Sequence, residues 1–346
     1  MTEPNSRYDV VIVGGAVHGA SAAYHLAADP GFSGTVLLVE KDPSFRFAAT
    51  ALSAGSIRQQ FSTAVNIAIS LHGIDFLRNI GSILEVDGDQ PSISLVEGGY
   101  LFLATEAGAA QLAENHALQT RLGADIVHFD PDGLKGQFPW LSTDGIAAGA
   151  WGRAGEGWFD GYGLMQALRR KARSLGIETA SAEVVELLVE GGRAAGVRLA
   201  DRTRIAAGTV ILAAGSGTAP LLAPLGISLP VVPKKRMVFT FACREKLERF
   251  PLLIDPSGVY CRPEGEAYIC GVSPDDLDGP PAGDFEVDHT LFEETIWPVL
   301  AERIPAFEAI RPGRAWAGHY DMNLFDHNAV VGPLPVPGLL VANGFS

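Results

Sequence analysis

Residues Asp9 to Ala27, DVVIVGGAVHGASAAYHLA, constrain the fold of this chain more than any other stretch. Tyr8 to Val13 is a short β-branched run that stops at Gly14 and Gly15, as a strand buried on both faces does. Ala16 to Ala28 is alanine-rich with few breakers and reads as a helix. Thr35 to Val39, TVLLV, is a second buried strand and ends in Glu40. Together they form a βαβ unit with its glycines at the first strand-to-helix turn. Gly14 permits the tight turn, and Gly19 lets helix and sheet pack closely. The middle position, where glycine usually lets a pyrophosphate approach the helix N-terminus, is Ala16. One methyl crowds that approach without blocking it. Gly15, Val17 and His18 complete the candidate phosphate turn. Glu40 lies 21 residues after Gly19, where an acid binds ribose hydroxyls and disfavours a 2′-phosphate. An ordinary βα turn is the bland alternative; the order strand, turn, helix, strand, acid argues against it.

The 346 residues suffice for one large domain or two ordinary ones. With 47% hydrophobic and 19% charged residues the chain is globular and not disordered. Lys plus Arg number 26 against 40 Asp plus Glu, a net charge of -14, which argues against nucleic-acid or anionic-membrane partners. Arg169, Arg170 and Lys171 read as the wet face of a helix. Cys243, Cys261 and Cys270 have no metal-type spacing and are odd in number, as reduced thiols of a cytoplasmic protein. No metal site is expected. The opening MTEPNSRY has neither a basic start nor an apolar run, so no signal peptide is expected. No apolar run reaches the roughly 18 residues of a membrane span.

Further along, FAATALSAGSIRQQF is loop-like and gives way to a helical pattern from Thr63 to about Ile80. SISLVEGGYLFLA alternates as two strands around a Gly-Gly turn, and helical patterns cover Glu106 to Leu122 and Leu164 to Leu175. EVVELLVE and RAAGVRLA, joined by Gly191 and Gly192, form a plausible hairpin. Thr209 to Gly217, TVILAAGSG, is again a buried strand, the second to run into a glycine-rich turn. Its distance from the first such strand favours a flavin fold with parts dispersed along the chain. A nicotinamide domain usually completes its sheet in one continuous stretch.

Taken together, VIVGGAVHGASAAYHLA, SAGSIRQQFS, EGWFDGYGLMQALRRKA, VILAAG, FDHNAVVGP and the final ANGFS carry a family resemblance. From residue 9 to the end, the chain resembles FAD-dependent oxidoreductases of the D-amino-acid-oxidase type. The branch is that of sarcosine oxidase, dimethylglycine dehydrogenase and the FAD-dependent oxidoreductase domain-containing proteins. The resemblance implies an α/β fold with an α+β substrate domain. A Rossmann-like FAD-binding domain is interleaved with a sheet-and-helix substrate domain, in glutathione-reductase-type topology. Its implied boundaries are 1–82, 145–222 and 322–346 for the FAD domain, and 83–144 and 223–321 for the substrate domain.

The resemblance also implies roles for particular residues. Cofactor contacts fall on Gly14, Gly15, Ala16, Val17, His18, Gly19, Glu40, Lys41, Ser53, Ala54, Gly55, Ser56, Val184, Ala214, Gly215, Gly344, Phe345 and Ser346. Arg58 matches the arginine that binds a substrate carboxylate, a role suited to a bidentate guanidinium; a surface salt bridge is its bland alternative. Tyr320 falls near a substrate-facing tyrosine and is weighed evenly against core packing. His319 either lines the pocket or is a satisfied structural histidine.

Where relatives attach FAD through a histidine this chain has Ser53, and where others use a cysteine it has Gly318, so the FAD is expected to be non-covalent. Ile269 replaces the lysine that assists oxygen reduction in oxidases, which favours a dehydrogenase. Relatives continue past GFS into GHG and a helix facing the flavin, so a chain ending at Ser346 is expected to bind FAD weakly or not at all.

The implied reaction is oxidation of the C–N bond of a secondary or tertiary amino acid such as sarcosine or dimethylglycine, by hydride transfer to flavin N5. The expected partners are that small-molecule substrate and an electron-transfer protein or quinone as acceptor, with no nucleic acid and no membrane span. A D-amino-acid or 2-hydroxy-acid dehydrogenase, and a non-catalytic assembly or interaction flavoprotein, are the competing readings.

Overall fold

In the computed structural model, residues 4–273 and 283–345 are described. The strand Arg7–Val13 becomes the middle of a mostly parallel sheet, flanked by Val36–Glu40 and Arg204–Leu212. Glu178–Ser181 extends it on the Val36–Glu40 side and Leu339–Asn343 on the other, both parallel to their neighbours. Strand Val330–Pro333 closes that second edge antiparallel. Successive side chains of a strand point to opposite faces, and both faces here are apolar. Val10, Ile12 and Leu38 pack against the helices Val17–Ala28 and Gly161–Ser174. Val11, Val13, Leu37 and Val39 pack on the other side with Leu187 and Val197. Each such fully buried side chain contributes about 1.5–3 kcal/mol.

The hairpin forms from Val184–Glu190 and Arg193–Leu199, as the paired glycines predict. It pairs with the first half of Arg204–Leu212, while Val210 to Leu212 pair with Leu339–Asn343. One edge of this strand thus serves two partners in turn, while Arg7–Val13 lies along the other.

A second sheet runs, edge to edge, Ile310–Asn323, Val231–Cys243, Ala267–Gly271, Tyr260–Glu264, Leu252–Ile254, Tyr100–Ala104, Ala148–Gly152 and Ile126–Phe129. Its pairs are antiparallel except Leu252–Ile254 with Tyr100–Ala104. Leu101, Leu103, Phe239 and Phe241 face a layer built from Leu134, Phe138, Ile296, Leu300 and Phe307. Tyr100, Phe102, Ile254 and Tyr260 face the other way and meet Trp158. Trp158 belongs to a small ladder, Gly157–Trp158 against Ser56–Ile57, that joins the two sheets.

Two local expectations change. Residues 92–97 form no strand: Val96 makes a single bridge to Trp158, and only Tyr100–Ala104 joins a sheet. Strand Ala148–Gly152, grouped by the expected boundaries with the FAD segments, pairs inside the second sheet. Among the described residues no helix is long and apolar enough to cross a membrane, and no cluster of His, Cys, Asp and Glu could hold a metal.

Candidate FAD and substrate site

The phosphate turn is built by close approach of backbones. Gly14 has φ +99°, and a Cβ there would lie 2.4 Å from the Ala213 carbonyl oxygen. Its N–H donates to Val39 O at 2.9 Å, while Ala213 N–H donates to Val13 O at 2.8 Å. The two glycine-ended strands, far apart in sequence, therefore end side by side. A Cβ on Gly19 would lie 1.8 Å from Gly14 O, so helix and turn touch without a side chain between them. Ala16 precedes the helix in extended conformation, and no side chain caps the helix start. Val17 N–H donates to the Thr50 hydroxyl at 3.4 Å. The first-turn N–H groups suit a pyrophosphate.

Glu40 stands at the end of the neighbouring strand. Its carboxylate accepts from Gly15 N–H at 2.7 Å and from Asp42 N–H at 2.8 Å. Lys41 is exposed beside it. Ala182 N–H donates to Glu40 O at 2.9 Å, which brings the start of the hairpin alongside, although the Val184 side chain is packed in the core. Arg169 corrects the reading of its helix face as wet. It is half-buried, its Nη1 donates to Gly15 O at 2.9 Å, and its guanidinium lies 4.6 Å from the centre of the Phe45 ring. Burial lowers its pKa. Arg170 pairs with Asp89, and Lys171 donates to Glu85 O at 2.7 Å. Periodicity could not show this, because all three partners are remote in sequence.

The Ser53–Ser56 loop is held from both sides. Ser53 Oγ donates to Thr50 O at 3.2 Å and accepts from Gly55 N–H at 3.3 Å. Leu52 O accepts from Trp316 Nε1 at 2.9 Å, and Ala54 O from Arg262 Nη2 at 2.5 Å. Ser56 pairs with Trp158. Arg262, almost wholly buried under the Trp158 ring, is a residue that no local motif marks. Ile269 is opposite it in register and is buried. Gly318 packs against Leu52: a Cβ there would come within 2.9 Å of the Leu52 Cβ.

At the other end, Ala214 and Gly215 follow the second glycine strand, and Gly215 O accepts from Asn343 Nδ2 at 2.9 Å. Gly344 N–H donates to Asp321 Oδ2 at 2.6 Å. Burial raises the pKa of that carboxyl group, against the pull of its N–H donors. Phe345 stacks on His18, and burial lowers the His18 pKa to about 4. Ser346 lies outside the described residues. Asp321 and Asn343 (the latter within ANGFS) were not among the candidate site residues, yet they tie the final segment to the residues around it.

Arg58 is half-buried, 4.5 Å from the centre of the Phe61 ring and 5.7 Å from that of Phe102. It forms no hydrogen bond or ion pair among the described residues. Tyr320 lies opposite Lys234, with the Arg236 guanidinium 4.9 Å from its ring centre. His319 and Tyr320 are consecutive in a strand, so they point to opposite faces. Tyr320 shares its face with Gly318 and Trp316, which meet Leu52. His319 faces away: its Nε2 is 2.6 Å from Asp284 O, and its ring stacks on Phe285 at 4.7 Å. The structure does not bring His319 together with Tyr320.

The family described as DAO, FAD dependent oxidoreductase, matches residues 9–346. The FAD-dependent oxidoreductase domain-containing protein 1 of Xenopus laevis is 42% identical over 99% of this chain and 76% of its own length. The beta subunit of sarcosine oxidase from an Arthrobacter species is 26% identical over 99% of this chain and 83% of its own. The L-proline dehydrogenase of P. horikoshii has the same fold: TM-score 0.85, 22% identity, 99% of this chain and 89% of that one covered. The glycine oxidase of Geobacillus kaustophilus superposes with a TM-score of 0.82 at 24% identity, covering 98% and 90%. With its glycine turn, the acid that ends its second strand and a match from the first strand onward, this chain belongs to the DAO family of FAD-dependent oxidoreductases, and FAD is its cofactor.

Proposed function

We propose that the protein oxidises the C–N bond of a small secondary or tertiary amino acid of the sarcosine or dimethylglycine kind. When bound, FAD supplies the hydride acceptor for that oxidation. Gly14 to Gly19 would hold its pyrophosphate, with Ala214 and Gly215 alongside. Glu40, Lys41 and the backbone around Val184 would hold its adenosine end. Ser53 to Ser56, with Gly344 and Phe345, would hold the flavin end. Ser53 and Gly318 offer no nucleophile of the kind that links flavin in relatives, which supports non-covalent binding.

The observation that carries the reading is Arg58. A half-buried guanidinium between aromatic rings has lost part of its hydration; the buried Glu156 carboxylate acts on it electrostatically, but no acid of the described residues forms an ion pair with it. A carboxylate that entered beside it would gain a charge-assisted, bidentate partner. Tyr100, Phe102 and Tyr260 on the same sheet face would exclude water and wall the substrate amine. Ile269, apolar and buried opposite Arg262, supports a dehydrogenase over an oxidase, with an electron-transfer protein or a quinone as acceptor. The proposed substrate domain comprises 83–144 and 223–321, joined by strand Ala148–Gly152.

Anaerobic titration of the FAD-loaded protein tests the reading. Sarcosine or dimethylglycine is expected to bleach the flavin absorption band. Bleaching by 2-hydroxy acids or D-amino acids, with none by N-methyl amino acids, would replace the substrate class. A loaded protein bleached by none of them would favour the assembly reading.

A further inference from the structure

Glu156 has no exposed surface, and the proposed chemistry does not use it. Its two carboxylate oxygens are aimed at the residues that follow Arg58. Oε1 accepts from Gln59 N–H at 2.5 Å and Gln60 N–H at 3.0 Å, and Oε2 accepts from Gln60 Nε2 at 2.8 Å. Gln60 Nε2 also donates to Tyr100 O at 3.1 Å, and Gln59 Nε2 to Gly155 O at 3.2 Å. The seat is shaped for the carboxylate: a Cβ on Gly152 would lie 1.8 Å from Oε2. Backbone donors at both Gln59 and Gln60 fix the direction in which the chain leaves Arg58. A buried charge costs folding free energy, and packing alone is better served by an apolar side chain.

We propose that Glu156 is a positioning residue: it clamps the turn at Gln59 and Gln60 and so holds the Arg58 guanidinium ready for a ligand carboxylate. The inference rests on the reading of Arg58 as the carboxylate holder. Glu156 itself touches neither substrate nor FAD. In Glu156→Gln the side chain keeps its size and its amide oxygen still accepts from the two backbone N–H groups, but the charge is lost and the NH2 that replaces Oε2 faces Gln60 Nε2, so the clamp is weakened at the Gln60 side chain.

Acetate serves as a non-reactive carboxylate probe, its binding to the FAD-loaded protein followed by perturbation of the flavin spectrum. Arg58→Ala and Glu156→Gln are each expected to weaken acetate binding about tenfold. The double variant should be no weaker than Arg58→Ala alone, because Glu156 acts only through Arg58. In turnover, Glu156→Gln should raise KM and leave kcat little changed. Unchanged acetate binding in Glu156→Gln, or losses that add fully in the double variant, would overturn the proposal while Arg58 kept its role. An Arg58→Ala protein that binds acetate normally would overturn both. Should Glu156→Gln fail to fold, Gln60→Met removes the Oε2 donor at similar size and is expected to weaken acetate binding about threefold, again only when Arg58 is present.

Discussion

His18 and Phe345 stack ring on ring, their centroids 3.7 Å apart and their planes inclined by 17°. The first turn of the first helix is thereby joined to the final described residue. Burial lowers the His18 pKa from 6.5 to about 4, so the ring is neutral in the folded protein at neutral pH. The unfolded chain takes up this proton first as pH falls. Stability from His18 is therefore complete above about pH 6.5 and lost between there and pH 4, by at most about 3 kcal/mol. Denaturant titrations across that range should show a shallower acid loss for His18→Asn. An identical slope in both proteins would contradict the assignment.

The glycine turn makes opposite predictions at two neighbouring positions. Gly19→Ala places a methyl 1.8 Å from the Gly14 carbonyl oxygen, where only backbone can yield. It should cost at least about 2 kcal/mol and abolish FAD binding. Ala16→Gly removes the methyl from an extended, uncapped position, so it should keep the fold and bind FAD at least as tightly. Thermal denaturation and flavin fluorescence read both outcomes.

Arg169 joins Gly15 O to the Phe45 ring beside Glu40, so its removal should be felt at the adenosine end. Arg169→Ala is expected to raise the FAD dissociation constant about tenfold. ADP should lose affinity in parallel, and riboflavin should not. Equal losses for riboflavin would place the effect elsewhere.

Arg58→Ala should weaken amino-acid binding by about 1.5–3 kcal/mol, the range for a lost hydrogen bond to a charged group. FAD affinity should stay as it is. Substrate titration followed by flavin absorption checks the first, and flavin fluorescence the second.

Away from the site, Arg303 Nε donates to Asp255 Oδ2 at 2.8 Å, both side chains being nearly buried. Arg303 Nη1 also reaches Ser142 O and Asp144 O. Arg303→Ala leaves a buried carboxylate without its partner and should cost about 3–5 kcal/mol in chemical denaturation.

The turn at Gly14 and Gly19 and the acid at Glu40 were legible in the sequence because their chemistry is local. Strand, turn, helix and acid follow one another within a single βαβ unit. The segment around Arg58 was legible as a motif, and its role as carboxylate holder is our proposal. The residues that support it were not: Gln60 and Glu156 meet across 96 positions, and the Ser53 loop is fastened by Arg262 from another sheet. Tyr320 and His319 could not be told apart before strand pairing fixed which face each occupies. SISLV reads as a strand by alternation, yet it finds no ladder partner beyond one bridge at Val96. Alternation marks a surface that is half apolar, while strand formation also requires a free edge to pair with.

The strand Leu339–Asn343 lies against the second half of Arg204–Leu212 and completes the sheet around Arg7–Val13. More than a hundred residues, including most of the second sheet, are synthesised between those two partners. The nucleotide-binding half, begun at the first strand, therefore cannot close while the ribosome is still making its neighbour. Folding of the cofactor site is a late event by construction, and until Leu339–Asn343 emerges the edge of Arg204–Leu212 beside it stands open to other chains.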